Sequence, residues 1–396
     1  MIKVLSIGTD RKLFEENSAV LERNIEYASK MEELHIIVFS LKRHHLKPRK
    51  VENLYIYPTN SLSRIHYIFD AVKIGKRLIE NWKTNPRSEL SSTTVVENLR
   101  DVVVSCQDPF ETGLPGYLLA NKFKIPLQLQ LHTDFLSPNF KNSFLNIIRV
   151  MMATFLIPRA QGLRVVNESI KTSIKKKFPN LKTVPEVLPV FVDIEKIINT
   201  DSMKDTGNSF THFTFIILVA SRLAKEKRID IALRVLKKVV EKYPKTGLVI
   251  AGDGDEKHHL KSLVKKLGLQ NNVVFVGWQT DLVPYYKVAD TFLLTSEYEG
   301  YGMSLIEAGA CGCPIVTTKV GIANTDLFKN GENSFVCGTG DEKCILESVL
   351  KMIRDNSKRE LFKREMQVSI KNAVVTKKEY VDKYANLLES LTKTQL

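Results

Sequence analysis

The chain has 396 residues, of which 43% are hydrophobic and 26% are charged, and this balance excludes a disordered or fibrous protein. Its length allows two globular domains, and because no apolar stretch reaches about 18 residues, a membrane-spanning helix is excluded. The formal net charge is +14, and most of the excess lies in residues 1–190, which hold 28 Lys and Arg against 18 Asp and Glu.

Short apolar runs alternate with helix-like segments along the chain, which predicts an α/β fold built on parallel sheets. The first run, MIKVLSIG, is strand-like and has no secretory pattern. The five cysteines form no His/Cys cluster of the zinc type, so we expect reduced thiols in a cytoplasmic protein. The predicted strands are residues 2–8, 34–41, 53–58, 101–107, 126–133, 162–167, 213–220, 247–253, 273–278, 291–296, 314–318 and 334–338.

One polar stretch interrupts this alternation at residues 199–209, which are rich in Ser, Thr, Asp, Asn and Gly. We interpret this stretch as a linker between two Rossmann-like domains. The N-terminal domain is then residues 1–198 and the C-terminal domain is residues 210–375. Residues 376–396 are expected to form a final helix that packs back on the N-terminal domain.

Two basic clusters lie in the first half, at residues 41–50 and 171–178. They are consistent with a solvated basic face, and also with attraction to an anionic membrane or a phosphorylated acceptor. Nucleic acid is disfavoured because we find no aromatic-rich basic motif of the RNA-binding type. The apolar stretch 140–160 contains three cations and is expected to be a core helix under the sheet, the alternative being a helix that lies on anionic lipid.

Two cations follow the first strand of the second half. Arg222 and Lys227 are five residues apart, between the strand 213–220 and the next helical segment. A planar guanidinium and a mobile ammonium are the groups that a pyrophosphate needs as partners. The alternative is a pair of solvent-facing cations in a basic protein.

The next two strand ends carry a glycine turn and a tryptophan. Gly252 and Gly254 suit a tight turn, in which Asp253 or Asp255 would cap the following helix. Two glycines at this spacing are by themselves weak evidence for nucleotide binding. Trp278 follows the strand 273–278, where it would either contact a flat base or pack as an ordinary aromatic residue.

The stretch Thr291–Thr318 combines a strand, a turn containing Gly300 and Gly302, and a small-residue helix expected to lie close to the sheet. Backbone N–H groups at the start of that helix, near Met303, would form an anion site. Glu299 and Glu307 bracket the glycines. Ionised carboxylates accept hydrogen bonds and donate none, so these two suit the hydroxyls of a sugar and a ribose rather than phosphate. The alternative roles are helix capping and a surface charge.

These elements, taken in order, resemble the GT-B glycosyltransferases of the retaining family 4, the "glycosyltransferases group 1" type. The resemblance covers nearly the whole chain and is strongest over residues 213–340. It rests on VASRLAKEKRID, VIAGDGDEKHHL, VVFVGW, TSEYEGYGMSLIEAGACGCPIVTTKVGI and NGENSFVC. It implies two Rossmann-like domains whose parallel sheets face each other across a cleft.

The resemblance also assigns roles to residues. Glu299 would bind the transferred sugar, Glu307 the ribose hydroxyls, and Arg222 with Lys227 the donor diphosphate. The base would lie near Gly254 and Trp278. His132 would lie near the reacting face of the sugar, so the implied catalytic set is His132, Arg222, Lys227 and Glu299. The implied donor-binding set is Gly8, Gly252, Gly254, Trp278, Gly300, Tyr301, Gly302, Met303, Ser304 and Glu307.

The first loop departs from the family pattern. Relatives often carry paired glycines there, whereas this chain reads SIGTDRKLFEENS and has only Gly8. A phosphate contact from this loop is therefore open, with Thr9, Arg11 or the loop backbone as substitutes. Because the first half diverges, the resemblance does not identify the acceptor.

The resemblance implies retaining transfer of a hexose from a UDP- or GDP-sugar to an acceptor hydroxyl, in cell-surface polysaccharide or glycolipid synthesis. The nucleotide sugar is a co-substrate, and neither a metal nor another cofactor is expected. The expected partners are this donor and a glycan or lipid-linked glycan acceptor, without nucleic acid. A peripheral contact with the inner face of the cell membrane is left open.

Three other functions are considered. A nucleotide-sugar 2-epimerase of the same fold would consume donor without acceptor, and the Glu299/Glu307 pattern argues against it. A catalytically silent binding subunit is disfavoured because Arg222, Lys227 and both glutamates are intact. A dinucleotide-dependent dehydrogenase is disfavoured because the first strand ends in GTDRKL, without the spaced glycines of the fingerprint.

Overall fold

The computed structural model describes residues 1–84, 99–141, 143–200 and 210–393. The chain divides into two compact units, the first comprising Met1–Pro189 with Thr376–Leu396 and the second comprising Val190–Val375. Most of the predicted linker, residues 201–209, lies outside the described residues. Residues 190–200, which directly precede this stretch, belong to the second unit.

Fourteen strands and thirteen α-helices are seen in the described part of the chain. The strands are β1 (Lys3–Gly8), β2 (Glu33–Val38), β3 (Arg49–Val51), β4 (Leu54–Pro58), β5 (Val102–Cys106), β6 (Leu127–Leu131), β7 (Gly162–Val165), β8 (Glu186–Val187), β9 (Phe215–Ala220), β10 (Thr246–Ala251), β11 (Val273–Gly277), β12 (Thr291–Leu294), β13 (Ile315–Thr318) and β14 (Phe335–Cys337). The helices are α1 (Ala19–Ala28), α2 (Tyr67–Thr84), α3 (Gly113–Phe123), α4 (Phe144–Leu156), α5 (Glu168–Lys177), α6 (Ile194–Asn199), α7 (Ile229–Val240), α8 (Lys257–Leu267), α9 (Val283–Val288), α10 (Met303–Ala310), α11 (Glu342–Arg354), α12 (Asn356–Ala373) and α13 (Lys377–Lys393).

The first unit contains an eight-stranded sheet in the order β3-β4-β2-β1-β5-β6-β7-β8. Its strand pairs are parallel except for β3 with β4. The second unit contains a six-stranded parallel sheet in the order β11-β10-β9-β12-β13-β14. Every predicted strand corresponds to an observed one, so the expected α/β fold of two parallel-sheet, Rossmann-like domains is confirmed. The sequence missed only the short β3 and β8, which are too brief to show an apolar pattern.

The core of the second unit forms because α7 has an apolar face at helical spacing. Ile229, Leu233 and Leu236 are buried and pack in one cluster with Ile217 of β9 and Ile250 of β10. In this sheet β10 and β11 lie on one side of β9, whereas β12 lies on the other side. The strand order therefore reverses between β9 and β12, and doubly wound sheets bind ligands at the carboxyl ends of strands at such a point.

The small residues of α10 fit a neighbour that the sequence did not predict. α10 does contact β12 and β13, but it also packs against α12. A Cβ atom on Gly309 would lie 2.4 Å from Ile370 Cδ1 and 2.7 Å from Met366 Cγ. The expected close approach to the sheet is therefore only part of the reason for these small side chains, because Gly309 makes room for α12.

The expectation that all cysteines are reduced is wrong for one pair. Cys337, at the end of β14, forms a disulfide with Cys344 in α11, and their Cα atoms are 5.8 Å apart. The turn at 338–341 brings the two together, a proximity that their spacing in the chain did not reveal. Cys106, Cys311 and Cys313 are free thiols, and burial raises the pKa of Cys311 to about 12.

The final helix α13 belongs to the first unit and contacts a buried arginine. The Arg164 guanidinium donates to Gln130 Oε1 at 2.7 Å, to the Pro189 carbonyl at 2.9 Å and to the Tyr380 hydroxyl at 2.5 Å. It also faces the rings of Tyr380 and Tyr384. A buried cation needs such partners, because desolvating it without hydrogen bonds is costly.

Within the described ranges, no helix is long and apolar enough to cross a bilayer.

Replacing Tyr380 with phenylalanine tests this network. The variant removes one hydrogen-bond acceptor of a buried guanidinium, so we expect the free energy of unfolding to fall by about 1–3 kcal/mol. Tyr243→Phe is the matched control because its hydroxyl accepts from Arg354 at an exposed site, where we expect a change within about 0.5 kcal/mol. Urea unfolding followed by circular dichroism measures both. Equal losses in the two variants would contradict a stabilising role for the buried contact.

Candidate functional site

A part-buried ion pair lies where the strand order reverses in the second unit. Lys227 follows β9, Glu299 follows β12, and Lys227 Nζ lies 2.7 Å from Glu299 Oε1. Each side chain is only 12% exposed. The Ser296 hydroxyl donates to the same carboxylate oxygen at 2.7 Å. The structure thus brings together two residues predicted for separate tasks, and it adds Ser296, which the sequence analysis missed.

The loops that carry this pair are joined by backbone hydrogen bonds. The Glu297 N–H donates to the Glu226 carbonyl at 2.8 Å, and the Thr295 hydroxyl donates to the Lys227 carbonyl at 3.0 Å. An ion pair between Arg228 and Glu297 adds a third link between the two loops. Because every link joins the β9 loop to the β12 loop, the ion pair sits on a fixed scaffold.

Arg222 has a different environment from Lys227. Its side chain is 67% exposed, and its Nη2 atom lies 2.9 Å from Glu226 Oε1. An exposed pair of this kind is screened by water and contributes little to stability. The two predicted diphosphate cations therefore differ in their environment. Lys227 is paired with the part-buried carboxylate of Glu299, whereas Arg222 lies at the surface.

The glycine turn after β10 packs against the backbone after β9. A Cβ atom on Gly252 would lie 1.9 Å from the Ser221 carbonyl oxygen, and one on Gly254 would lie 2.5 Å from the Leu223 carbonyl oxygen. Both positions require glycine for this close approach. The predicted helix cap is wrong, because the residue that precedes α8 is Glu256, which makes no side-chain cap bond. Asp253 instead accepts from the Gly254 N–H and from Lys257 Nζ.

The turn before α10 places a helix N-terminus beside Glu299. Gly302 has a φ of 95°, a conformation that disfavours other residues, and it directly precedes the helix. The Tyr301 carbonyl accepts from the Ile322 N–H at 2.7 Å, which fixes the turn. Tyr301 is buried, Ser304 is half-buried and Met303 is 39% exposed. The first N–H groups of the helix are donors without a carbonyl four residues earlier within the helix, as an anion site requires.

Glu307 lies one turn further along α10, beside a cavity of about 460 Å³. The Tyr286 hydroxyl donates to Glu307 Oε2 at 3.1 Å. Burial raises the pKa of the Glu307 carboxyl above its ordinary value, while the Tyr286 hydrogen bond opposes this shift. The cavity is lined by Lys196, Ile197, Thr200, Thr280, Asp281, Leu282, Val283, Tyr286 and Glu307.

The residues expected around the base do not line this cavity. Trp278 is 60% exposed, and it lies outside the lining, as does Gly254. The lining comes instead from Thr280–Val283, the segment directly after Trp278, and from Tyr286. The sequence analysis missed these residues. The signal that could have indicated them is their position at the carboxyl end of β11, next to Trp278.

In the first unit, two predicted residues lie at the carboxyl ends of strands. Gly8 ends β1, and the Gln107 side chain accepts from the Thr9 N–H at 2.8 Å. A Cβ atom on Gly8 would approach Gln107 Oε1 to 2.9 Å. His132 follows β6, and burial, with the charges of Arg164 and Arg23 adding to it, lowers its pKa to about 3. Its imidazole is therefore neutral at pH 7.

The second unit matches a known family. Residues 208–368 fit the family model described as glycosyl transferases group 1. This part of the chain is therefore similar to the glycosyl transferases group 1 family. All the predicted site residues except Gly8 and His132 lie within residues 208–368.

Curated relatives align over a longer part of the chain than the family model does. An uncharacterized glycosyltransferase of Methanocaldococcus jannaschii is 26% identical over 227 residues, which cover 55% of this chain and 55% of the relative. The alpha-monoglucosyldiacylglycerol synthase of Streptococcus pneumoniae is 26% identical over 226 residues, covering 54% of this chain and 51% of that protein. The chain thus spans about half the length of these curated relatives.

A solved structure shares the fold across both units. Anabaena HepE in complex with UDP-glucose matches with a TM-score of 0.74 and 18% identity, covering 98% of this chain and 100% of that one. At this identity the match establishes the fold. UDP-glucose is the ligand bound in the HepE structure.

Glu307 gives stability a pH dependence that can be measured. The folded-state pKa of Glu307 is raised above its ordinary value of 4.5. Between pH 4.5 and the raised pKa, the folded chain therefore binds more protons than the unfolded chain. The contribution of Glu307 to stability therefore falls as pH rises through this window. Glu307→Gln does not titrate, so we expect this variant to gain thermal stability relative to the unaltered chain as pH rises above 4.5.

The matched control is Glu332→Gln, which removes a carboxylate that is 71% exposed. Its melting temperature should follow the unaltered chain at every pH. Thermal unfolding of the three proteins in a series of buffers measures the differences. A Glu307→Gln difference that does not change with pH would show that burial does not perturb this carboxyl.

Proposed function

We propose that the chain is a retaining glycosyltransferase that moves a hexose from a UDP- or GDP-sugar to an acceptor hydroxyl. The observation that carries the proposal is the part-buried pair of Lys227 and Glu299, of which Glu299 shortly precedes the turn that leads into α10. It combines a cation, a hydrogen-bond acceptor and backbone donors at the point where doubly wound sheets bind ligands. A sugar attached to a diphosphate needs all three.

The cationic side of the site suits the leaving group. As the glycosidic bond breaks, negative charge grows on the departing nucleoside diphosphate. Lys227, Arg222 and the helix N-terminus near Met303 stabilise that charge. An ammonium carries three N–H donors, so Lys227 can contact phosphate oxygens while one donor remains on Glu299. The exposed Arg222 swings onto the diphosphate by exchanging Glu226 for phosphate.

The two carboxylates bind the two sugars of the donor. Glu299 accepts from hydroxyls of the transferred hexose, with the backbone of Gly300, Tyr301, Gly302 and Ser304 around it. Glu307 accepts from the ribose hydroxyls in the cavity, whose volume falls within the range of small-molecule pockets. Tyr286 orients Glu307, and the exposed ring of Trp278 offers a flat surface to the base.

Retention follows from attack on the face that the leaving group departs from, with the departing phosphate accepting the proton of the acceptor hydroxyl. For His132, which is neutral at pH 7, we propose a hydrogen-bonding role. The name of the pneumococcal relative describes a glucosyl diacylglycerol, which supports a glycan or lipid-linked acceptor. We propose no metal in this scheme, because Lys227 and Arg222 supply the positive charge.

A panel of nucleotide sugars tests the function. The full chain is incubated with UDP- and GDP-hexoses, with and without glycan and glycolipid acceptors, and nucleotide release and sugar products are followed. We expect one donor to raise the melting temperature and to release its nucleotide only with acceptor. Proton NMR of the product should show the anomeric configuration of the donor. Release without acceptor together with a changed sugar would indicate an epimerase, and binding without turnover would indicate a silent subunit.

Lys227→Met tests the charge on the leaving group. The variant keeps much of the side-chain volume but removes the cation, so we expect kcat to fall about 10²–10³-fold. Lys225→Met is the matched control, since Lys225 is exposed and lies two residues earlier in the same turn. Steady-state kinetics with the identified donor measure both variants, and circular dichroism verifies their folding. Turnover of Lys227→Met close to that of the control would refute the role.

Chelation tests the metal-free scheme. Because protein cations neutralise the diphosphate in this proposal, activity after treatment with EDTA should remain within about twofold of the untreated enzyme. The comparison is made by nucleotide release before and after buffer exchange. Loss of activity with EDTA, followed by recovery with manganese, would overturn this part of the proposal.

A further inference from the structure

The helix α4 carries an apolar stripe on its exposed side. Phe144, Ile148, Met151 and Phe155 follow the spacing of one helix face, and all four are exposed, Phe144 by 79% and Met151 by 67%. Leu145 and Ile147 widen this stripe. The expected core helix is therefore only half correct, because α4 buries Ala153 and Leu156 but presents large apolar side chains on its other side.

Neighbouring helices extend the same surface. β4, β5, β6 and β7 follow one another in one direction across the sheet, so right-handed crossovers place α2, α3 and α4 on one face. α3 contacts both α2 and α4. Leu118 of α3 and Phe69 of α2 are also exposed. The apolar stripe of α4 thus belongs to a helical face on which three successive helices expose large apolar side chains.

The charged residues of the stretch 135–167, which contains α4, are of one sign. Residues 135–167 contain no Asp or Glu, but they contain Lys141, Arg149, Arg159 and Arg164. Lys141 and Arg159 are exposed and bracket the two ends of α4. The Arg159 guanidinium lies over the Phe155 ring at 3.8 Å, so one cation sits against the stripe itself. Arg149 is paired with Glu111 at 2.8 Å, and Arg164 is buried.

The next helix on this face is also cationic. α5 follows β7 in the same direction, and it ends in Lys175, Lys176 and Lys177, all exposed. An apolar stripe with lysines and arginines at its margins matches the boundary between acyl chains and anionic head groups. A second copy of the chain fits less well, because α4 pairing with itself in an antiparallel dimer would set Lys141 of one copy against Arg159 of the other.

We propose that α4 binds the protein to an anionic lipid membrane. The helix lies in the plane of the interface, with Phe144, Ile148, Met151 and Phe155 at the acyl boundary. Lys141 and Arg159 contact the lipid phosphates. The proposal goes beyond glycosyl transfer, since it concerns a surface of the first unit that contains none of the proposed donor-binding or catalytic residues.

Vesicle flotation of the full chain tests whether the protein binds anionic membranes. We expect co-flotation with phosphatidylcholine vesicles that contain 30% phosphatidylglycerol, and much weaker binding to pure phosphatidylcholine. Binding to the anionic vesicles should fall as salt is raised, because salt screens the charges. Equal binding to both vesicle types, or no binding to either, would overturn the proposal.

A double variant tests the stripe directly. Phe144→Ser with Met151→Ser removes two exposed side chains, so the chain should still fold, and we expect vesicle affinity to fall about tenfold or more. Val368→Ser is the matched control, because Val368 is an exposed apolar residue of α12 in the second unit, and it should leave binding unchanged. Unchanged vesicle binding by the double variant would overturn the proposal.

Two further measurements separate the remaining explanations. Donor binding, followed by thermal shift, should be the same in the double variant and the unaltered chain, so that loss of vesicle binding is distinguished from loss of the donor site. Analytical ultracentrifugation measures self-association without lipid. The protein could form a dimer that the double variant abolishes, and yet not float with anionic vesicles. That result would show that α4 binds a second copy and would overturn the proposed membrane binding.

Discussion

The part-buried ion pair of Lys227 and Glu299 is the constraint around which the site is arranged. Each side chain is only 12% exposed, and removing an ion from water without a partner is costly. The pair therefore requires the loops after β9 and β12 to stay together, and the bonds from Glu297 to Glu226 and from Thr295 to Lys227 hold them there. The close packing of the Gly252 turn against Ser221 fixes the first of these loops from its other side.

The two glutamates of the stretch Thr291–Thr318 have opposite environments. Glu299 is paired with a cation and accepts a hydroxyl hydrogen bond, whereas Glu307 accepts from the Tyr286 hydroxyl beside a cavity. Burial raises the pKa of the Glu307 carboxyl, and the hydrogen bond from Tyr286 opposes this shift. The two carboxylates, eight residues apart in the chain, thus differ in their hydrogen-bond partners. The first unit adds a contrasting surface, where apolar side chains of α4 are exposed among cations.

Much of the fold was predictable because it depends on local patterns. The apolar runs gave the position of every strand longer than three residues, and strand–helix alternation gave the parallel sheets. The site was partly predictable: Glu299, Lys227 and Gly302 lie at strand ends or a helix start, where loops of such sheets bind ligands. Tyr286 and Thr280–Val283 were missed because they belong to no recognisable motif. Ser296 lies in the quoted stretch TSEYEGYG, but the sequence does not show that its hydroxyl bonds to Glu299. The disulfide between Cys337 and Cys344 was missed because spacing alone does not determine pairing.

By itself, the sequence determined the order of strands and helices, the excess of positive charge in the first half and the residue types at the strand ends. These follow from periodicity and composition, which are properties of neighbouring residues. Only the tertiary structure decided that Lys227 pairs with Glu299, 72 residues away, that Gly309 admits α12, and that the apolar stripe of α4 is exposed. Such contacts depend on the order of strands in the sheet and on which helix faces find a partner, and no local stretch of the chain encodes either one.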